Sequence, residues 1–377
     1  MHVVHVIYFL DVGGGEVFLC GLARALAARG VAQHVFTIGP RGRLAAEVEA
    51  AGVPVTAFNK SSKAGLAAIA RMASALGRLR PTLVHTHGEG GVLWGLPAAR
   101  LAGVPAVSLV YQNQRETRLK TLAARAALGT PVLVLAGSRA VAEFVHGDLG
   151  VPRDRLRTIY CGIEPADFAG VHVSTQIDDG GPTLLTVGRL VSAKGHRTLV
   201  EAFARVRRRH ARARLVIAGD GPEQPALAEL AARLNVADGV TFAGTVYPTH
   251  DLLRRADVFV FPSLAEPQGL ALVEAFAAGV PAVASRTGGI AEMLEHERHG
   301  LLVEPGDAGA LAAAIERLLE DDGLRAACAA HARLRARDFD VTVLAGEYLD
   351  AYREIAREDV VHDASDASAI VHAPGQE

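Results

Sequence analysis

The chain has 377 residues, 50% of them hydrophobic and 21% charged, with a formal net charge of −2. That length suits two domains of ordinary size, and that charge excludes the basic footprint of a nucleic-acid binder. Cys20, Cys161 and Cys328 are odd in number and far apart, which excludes a disulfide framework or a cysteine zinc cluster and suits a reducing, cytoplasmic setting.

The N-terminal run Val3–Leu10 predicts a first strand rather than a targeting leader, and nowhere does an apolar stretch approach the roughly 18 residues of a membrane span. A glycine loop follows, Gly13-Gly14-Gly15, and a helix is expected from Glu16 onward with Val17, Phe18, Leu22 and Leu26 as its apolar positions. Glycines let backbone approach a ligand closely, and a helix N-terminus attracts anions, so this is a phosphate-cradle pattern. It is not the dinucleotide fingerprint, whose third glycine would fall on Phe18. A tight strand-to-helix turn is the plainer alternative.

Strands and helices then alternate. Strands are predicted at Ala32–Ile38, Val53–Phe58, Thr82–Thr86 and Pro105–Val110, and helices at Leu44–Ala51, Gly65–Leu79 and Gly91–Ala102. This order implies a parallel sheet with helices on both faces. His85 and His87 straddle the end of the fourth strand, where residues two apart share a face. With only Glu89 nearby as a third ligand, a metal is not expected; a histidine lining the carboxyl edge of the sheet is the favoured reading. Tyr111, Gln112, Asn113 and Arg115 form the most polar stretch of this half and could bond acceptor hydroxyls or a phosphate, or be a solvated loop. Pro131–Ala136 predicts another strand, and Ser138 the N-cap of a helix reaching Leu149. Val171–Pro182 reads as a linker.

A second alternating series starts at Thr183. The strand Leu184–Val187 leads into Gly188-Arg189-Leu190 and then Lys194-Gly195. Two cations at one strand end suit a diphosphate, Arg as a planar fork and Lys as a point charge. This is not a Walker loop, because Ala193 stands before the lysine. The strand Leu215–Ala218 opens into Gly219-Asp220-Gly221-Pro222, a turn able to approach a base or ribose. The strand Val258–Phe261 is followed by Pro262, Ser263, Glu266, a Pro-Gln-Gly turn and a helix with the apolar face Leu270, Val273, Ala277 and Ala278. Backbone N–H groups at Gly269 and Leu270 would face an anion there. Glu266 in the turn and Glu274 on the helix could grip two parts of one elongated ligand through its hydroxyls.

Taken together and in this order, the Gly13 loop with Glu16, His87, Gly188-Arg189-Leu190 with Lys194-Gly195, Gly219 to Pro222, the Glu266-x7-Glu274 element and the Gly288-Gly289 turn resemble the retaining glycosyltransferases of GT-B fold, glycosyltransferase family 4 or glycosyl transferases group 1. The resemblance covers roughly residues 1 to 357. It implies an α/β protein with two Rossmann-like βαβ domains facing across a cleft: 1–170 on the acceptor side, 171–340 binding a nucleotide sugar, a helix 341–357 crossing back, and a disordered tail 358–377. It implies transfer of a sugar from a nucleotide-diphosphate donor to a hydroxyl acceptor, with retention, without metal or other cofactor, in glycan, polysaccharide or glycolipid synthesis. His87, Arg189, Lys194 and Glu266 would be catalytic. Gly14, Gly15, Gly188, Arg189, Lys194, Gly219, Gly221, Glu266, Gly269, Leu270 and Glu274 would hold the donor, with Glu274 on the ribose, Glu266 on the sugar, and His87 near the reaction centre while His85 packs under the sheet. Glu16, Tyr111, Asn113 and Arg115 would meet the acceptor.

Three positions depart from the family pattern. Gln268 stands where Phe is frequent, Cys161 where Asn is usual and Glu164 where Asp is usual, so local contacts at each are expected to differ. A lipid-linked acceptor would place the protein at the inner face of a membrane, with Lys60, Lys63, Arg71, Arg78 and Arg80 available for it, although a solvated helix face is the favoured explanation of those residues. The competing functions are a sugar-nucleotide epimerase or hydrolase of the same fold and a non-catalytic nucleotide-sugar binder.

Overall fold

The computed structural model describes residues 1–60, 65–111, 117–129, 132–168 and 180–369, with side chains to residue 357. The first series of elements is β1 (His2–Ile7), α1 (Gly14–Ala27), β2 (Ala32–Thr37), α2 (Ala45–Ala50), β3 (Val55–Ala57), α3 (Gly65–Leu79), β4 (Leu83–His87), α4 (Gly88–Gly90), α5 (Leu96–Leu101), β5 (Ala106–Val110), α6 (Arg118–Leu128), β6 (Leu133–Ala136), α7 (Arg139–Gly147) and β7 (Leu156–Thr158). The second is β8 (Thr183–Val187), α8 (His196–Arg209), β9 (Arg214–Ala218), α9 (Gln224–Arg233), β10 (Val240–Gly244), α10 (His250–Arg254), β11 (Val258–Phe261), α11 (Leu270–Ala278), β12 (Ala282–Ser285), α12 (Ile290–Met293), β13 (Gly300–Val303), α13 (Ala308–Glu320) and α14 (Asp322–Ala336). The last helix is α15 (Val341–Ala369).

The strands form two parallel sheets, ordered β3-β2-β1-β4-β5-β6-β7 and β10-β9-β8-β11-β12-β13. Each sheet starts at a central strand, grows to one side, then jumps back and grows to the other. The loops after β1 and β4, and after β8 and β11, therefore splay apart at a topological switch point, where open α/β sheets bind ligands. Parallel strands are covered on both faces, which is why β4, β5, β6, β11 and β12 are buried from end to end, and why β6 and β11 read as unbroken apolar runs.

The chain divides into two compact units. Unit 1 holds Met1–Gly137, Val141–Ile159 and Thr342–Glu377; unit 2 holds Ser138–Ala140 and Tyr160–Val341. The division falls after β7, earlier than the sequence suggests, because Ile163 and Phe168 are already packed into the core around Phe259 and Phe276. Most of the expected linker, residues 171–179, lies outside the described residues, as do Lys63, Gln112, Asn113 and Arg115. In unit 1, α15 lays Tyr348 and Tyr352 onto the sheet with both side chains fully buried, Tyr348 against Phe18 of α1. The helix continues to Ala369 where an unstructured tail was expected from 358; no glycine or proline falls between 358 and Pro374.

Two local expectations are corrected. Helix α1 opens at Gly14, so Gly14 and Gly15 form its first turn rather than the loop before it; the Val17 N–H already bonds the Gly13 carbonyl at 2.9 Å. Ser138 directly precedes α7, where the cap was expected. Its hydroxyl donates to the Pro267 carbonyl at 2.5 Å, and the Arg139 and Ala140 N–H groups go to the Glu292 carboxylate at 3.0 and 2.8 Å. A carboxylate at a helix N-terminus makes charge-assisted bonds that a hydroxyl cannot match. Helix α11 has no single apolar face: Leu272, Val273, Ala275, Phe276 and Ala278 are all buried, while Leu270 and Ala277 are only half-buried.

Candidate active site

In unit 2 the loops after β8 and β11 are pressed together. Gly195 has φ +66°, and a Cβ there would collide with the Pro262 carbonyl, so only glycine fits. The Leu264 N–H bonds the Ala193 carbonyl at 2.8 Å. This contact sets Lys194 over Glu266: Nζ to Oε2 is 2.5 Å, and the Ser263 hydroxyl donates to the same oxygen at 3.0 Å. Glu266 is 4% exposed. The two residues expected to bind different parts of a donor are thus paired with each other.

Arg189, on the same loop as Lys194, is exposed and forms no ion pair among the described residues. Its backbone carbonyl is bonded by His196 Nε2 at 3.2 Å, which anchors the loop; burial pushes the His196 imidazole down to about 4, keeping it neutral. Gly219, at φ +138°, lies under Gly188, and Gly221 under Leu190, so these glycines allow two loops to stack. That contact accounts for both glycines without a nucleotide.

Gly269, at φ +104°, ends the β11 loop and opens α11, so the Leu270 N–H is among the first amides of that helix, which have no partner one turn back; the Leu272 N–H turns to the Gly269 carbonyl at 3.0 Å. Glu274, half-buried on α11, accepts a hydrogen bond from the Thr249 hydroxyl at 2.9 Å. Burial pushes its carboxyl up to about 7, against the smaller opposing pull of that hydrogen bond. Gln268 does not point to a ligand. Its amide oxygen accepts from the Cys161 N–H at 2.9 Å and its amide nitrogen donates to the Cys161 carbonyl at 2.6 Å. Two of the positions that depart from the family pattern are therefore bound to each other.

In unit 1 the switch point gathers Gly13, Gly14, Gly15, Gly88 and Tyr111. The Tyr111 ring packs against Gly15 and Gly88, and the Glu16 carboxylate folds back over Gly13. Glu89 is paired with Lys120 at 2.9 Å and is not a partner of the histidines. That partner is His5, which β1–β4 pairing sets opposite His85. His5, His85 and His87 are all buried, with ring centroids 4.0 to 5.4 Å apart. His87 is 1% exposed and stands at the carboxyl end of β4. The i, i+2 alternation holds to the end of β4, and His85 packs against Tyr348 and Tyr352 of α15. Desolvation holds all three below the usual histidine range, His5 at about 4.

Thr249, Ser263, His5, Gln33 and Tyr352 were missed at the sequence level. Ser263 carries a local signal, three residues before Glu266; the others depend on strand register and on contacts distant in the chain. A cavity of about 660 Å³ lies elsewhere in unit 2, beside Glu292, Arg298, His299, Arg335 and Asp338. Its arginines are engaged by Glu295, Asp338 and backbone carbonyls, so it offers no comparable site.

Residues 12–167 match the family model Glycosyltransferase Family 4, and residues 169–335 match Glycosyl transferases group 1. D-inositol 3-phosphate glycosyltransferase of Acidothermus cellulolyticus is 32% identical over 91% of this chain and 87% of its own length. The chain belongs to glycosyltransferase family 4. An uncharacterized glycosyltransferase of Methanocaldococcus jannaschii is 36% identical over 203 residues, 51% of this glycosyltransferase and 52% of that relative, so that match spans about half of each. Among solved structures, Anabaena HepE in complex with UDP-glucose superposes with a TM-score of 0.83 at 22% identity, covering 94% of this chain and all of the other (100%). That likeness establishes a GT-B fold for this glycosyltransferase. No helix among the described residues is long and apolar enough to cross a membrane.

Proposed function

We propose that this glycosyltransferase moves a sugar, with retention and without a metal ion, from a nucleotide-diphosphate sugar to a hydroxyl acceptor in glycan, polysaccharide or glycolipid synthesis. The observation that carries this is the β8–β11 switch point, where an exposed, unpaired Arg189, a buried Lys194–Glu266 pair and the open N-terminus of α11 converge on adjacent loops. Breaking a glycosyl–diphosphate bond builds negative charge on the leaving phosphate. Arg189 would take it as a fork, Lys194 as a point charge, and the Gly269–Leu270 amides through their dipoles, which is the stabilisation such a step needs. The charge comes from the chain itself, which is the basis for proposing metal independence.

Glu274 would hold the ribose hydroxyls and Glu266 those of the sugar, once Lys194 turns from Glu266 to phosphate. Gly188, Gly219 and Gly221 line the same loop edge. In unit 1, the Gly14 and Gly15 amides, in the first turn of α1, would face an anion, His87 offers one bare ring nitrogen to a hydroxyl, and Glu16 and Tyr111 would meet the acceptor. For a lipid-borne acceptor the reading extends to peripheral membrane contact. Helix α6 supports that, with exposed Leu119 and Leu122 between Arg118, Lys120 and Arg125.

The test is calorimetry with UDP-, GDP-, ADP- and dTDP-sugars, with and without EDTA, on wild type and Glu274→Ala. UDP-glucose comes first, because the Anabaena structure was solved with it. Binding of one nucleotide class that survives EDTA and is lost in Glu274→Ala is expected. Binding that needs a divalent ion removes metal independence, and binding unaffected by Glu274→Ala removes the site. The anomer of the product, read by NMR, decides retention.

A further inference from the structure

The buried polar cluster of unit 1 has a direction. The Gln33 amide nitrogen donates to the Ala23 carbonyl at 2.9 Å, which turns the amide oxygen toward His5 Nε2, 3.1 Å away. An amide oxygen only accepts, so His5 carries its proton on Nε2. A neutral His5 then has a lone pair on Nδ1. That atom is 3.1 Å from His87 Nε2, so His87 must donate there and carry its own proton on Nε2. What remains is His87 Nδ1, a lone pair with no hydrogen-bond partner among the described residues. An unmet buried acceptor is costly, and its natural complement is a hydroxyl donor.

We propose that Gln33 and His5 are positioning residues that fix the tautomer of His87, so that this ring presents a bare Nδ1 acceptor toward a hydroxyl-bearing ligand. The chain of donors runs one way, from His87 through His5 and Gln33 to the Ala23 carbonyl, and each bond determines the next. A metal is the rival occupant, since the three histidines bring one nitrogen each within 4.8 Å. Two nitrogens suited to ligation are already bonded to each other, and no carboxylate or thiolate among the described residues joins the group. A divalent ion would bring two buried charges to a neutral site, which disfavours it. His85 is held separately, by the Tyr352 hydroxyl at 2.7 Å.

The role of the tautomer in transfer rests on the proposed function; the tautomer itself does not. The experiment is nitrogen NMR of the full chain carrying ring-labelled histidine. His5 and His87 are expected as Nε2–H tautomers, with His87 Nδ1 bare. Gln33→Leu should convert both to tautomer mixtures, whereas Tyr352→Phe should alter His85 and leave His87 alone. An Nδ1–H tautomer at His87 in wild type overturns the proposal even if no variant folds. So does an unchanged His87 in a folded Gln33→Leu, or zinc that copurifies at one equivalent and shifts the His5 and His87 resonances. With UDP-glucose as probe, Gln33→Leu should lower kcat roughly tenfold to a hundredfold with KM little changed. The expected tautomers with an unchanged kcat would refute the positioning role and implicate the reading of His87, not the hydrogen-bond chain.

Discussion

Lys194 Nζ lies 2.5 Å from Glu266 Oε2, joining the two loops that meet at the β8–β11 switch point. Both side chains are largely buried, so neither charge is well hydrated without the other. Lys194→Ala should therefore destabilise the protein by about 3 kcal/mol, because it leaves a buried carboxylate with only Ser263. The double variant Lys194→Ala/Glu266→Gln should recover much of that loss. Denaturant unfolding of the two variants checks this, and equal stability of wild type and Lys194→Ala would contradict it.

Glu274 should give donor binding a pH dependence. Its folded-state value is raised from 4.5 to about 7. A raised value means that the folded state holds the proton more tightly, so the contribution to stability is complete below about 4.5 and is lost as pH rises through 7. Glu274→Gln should thus be more stable than wild type above neutrality, by about 1–2 kcal/mol after allowance for its partial exposure. UDP-glucose affinity should rise severalfold between about pH 6 and pH 8 in wild type, as the carboxylate forms, and be flat in Glu274→Gln. Calorimetry across that range measures both effects.

The histidine cluster works in the opposite sense. His5 is lowered to about 4 and His85 and His87 fall well below 6.5, all chiefly by desolvation. Lowered values give stability that is present above the unfolded value and lost as pH falls through the folded one. Each histidine adds about 1.4 kcal/mol per pH unit to that loss. His85→Gln should flatten the acid limb of a stability–pH curve, measured by chemical denaturation between about pH 7 and pH 5.

Gln268→Ala should cost about 2 kcal/mol, since the buried Cys161 N–H and carbonyl would both lose their partner. Gln268→Phe should be at least as harmful here, because a ring cannot replace the amide. Thermal melts of the two variants test this, and a neutral Gln268→Phe would show that the clamp is dispensable.

Much of the fold was legible because parallel strands buried on both faces write themselves as apolar runs. The strand Val258–Phe261 and the helix Gly65–Leu79 fall where the sequence places them. The motif residues were also found, since glycines, cations and carboxylates at strand ends carry local chemistry. What was not legible depends on register. Nothing near His85 announces His5, because only β1–β4 pairing sets them opposite. Gln268 and Cys161 each read as an isolated departure, and their mutual bonding needs the packed structure. The burial of His85 has the same origin: alternation predicts which face it takes, but not that Tyr348 and Tyr352 arrive from α15 to pack against it.

Unit 1 is built from both ends of the chain, with Thr342 onward joining residues 1–137 and 141–159. A ribosome therefore delivers Tyr348 and Tyr352 only after every residue of unit 2 has been made. Until then the histidine face of the first sheet lacks those two rings. The half of the protein synthesised first is thus the half finished last. Unit 2 is free to complete its core while unit 1 waits, and a chain terminated before Thr342 would hold every residue of unit 2 but a first sheet that never gains its cover.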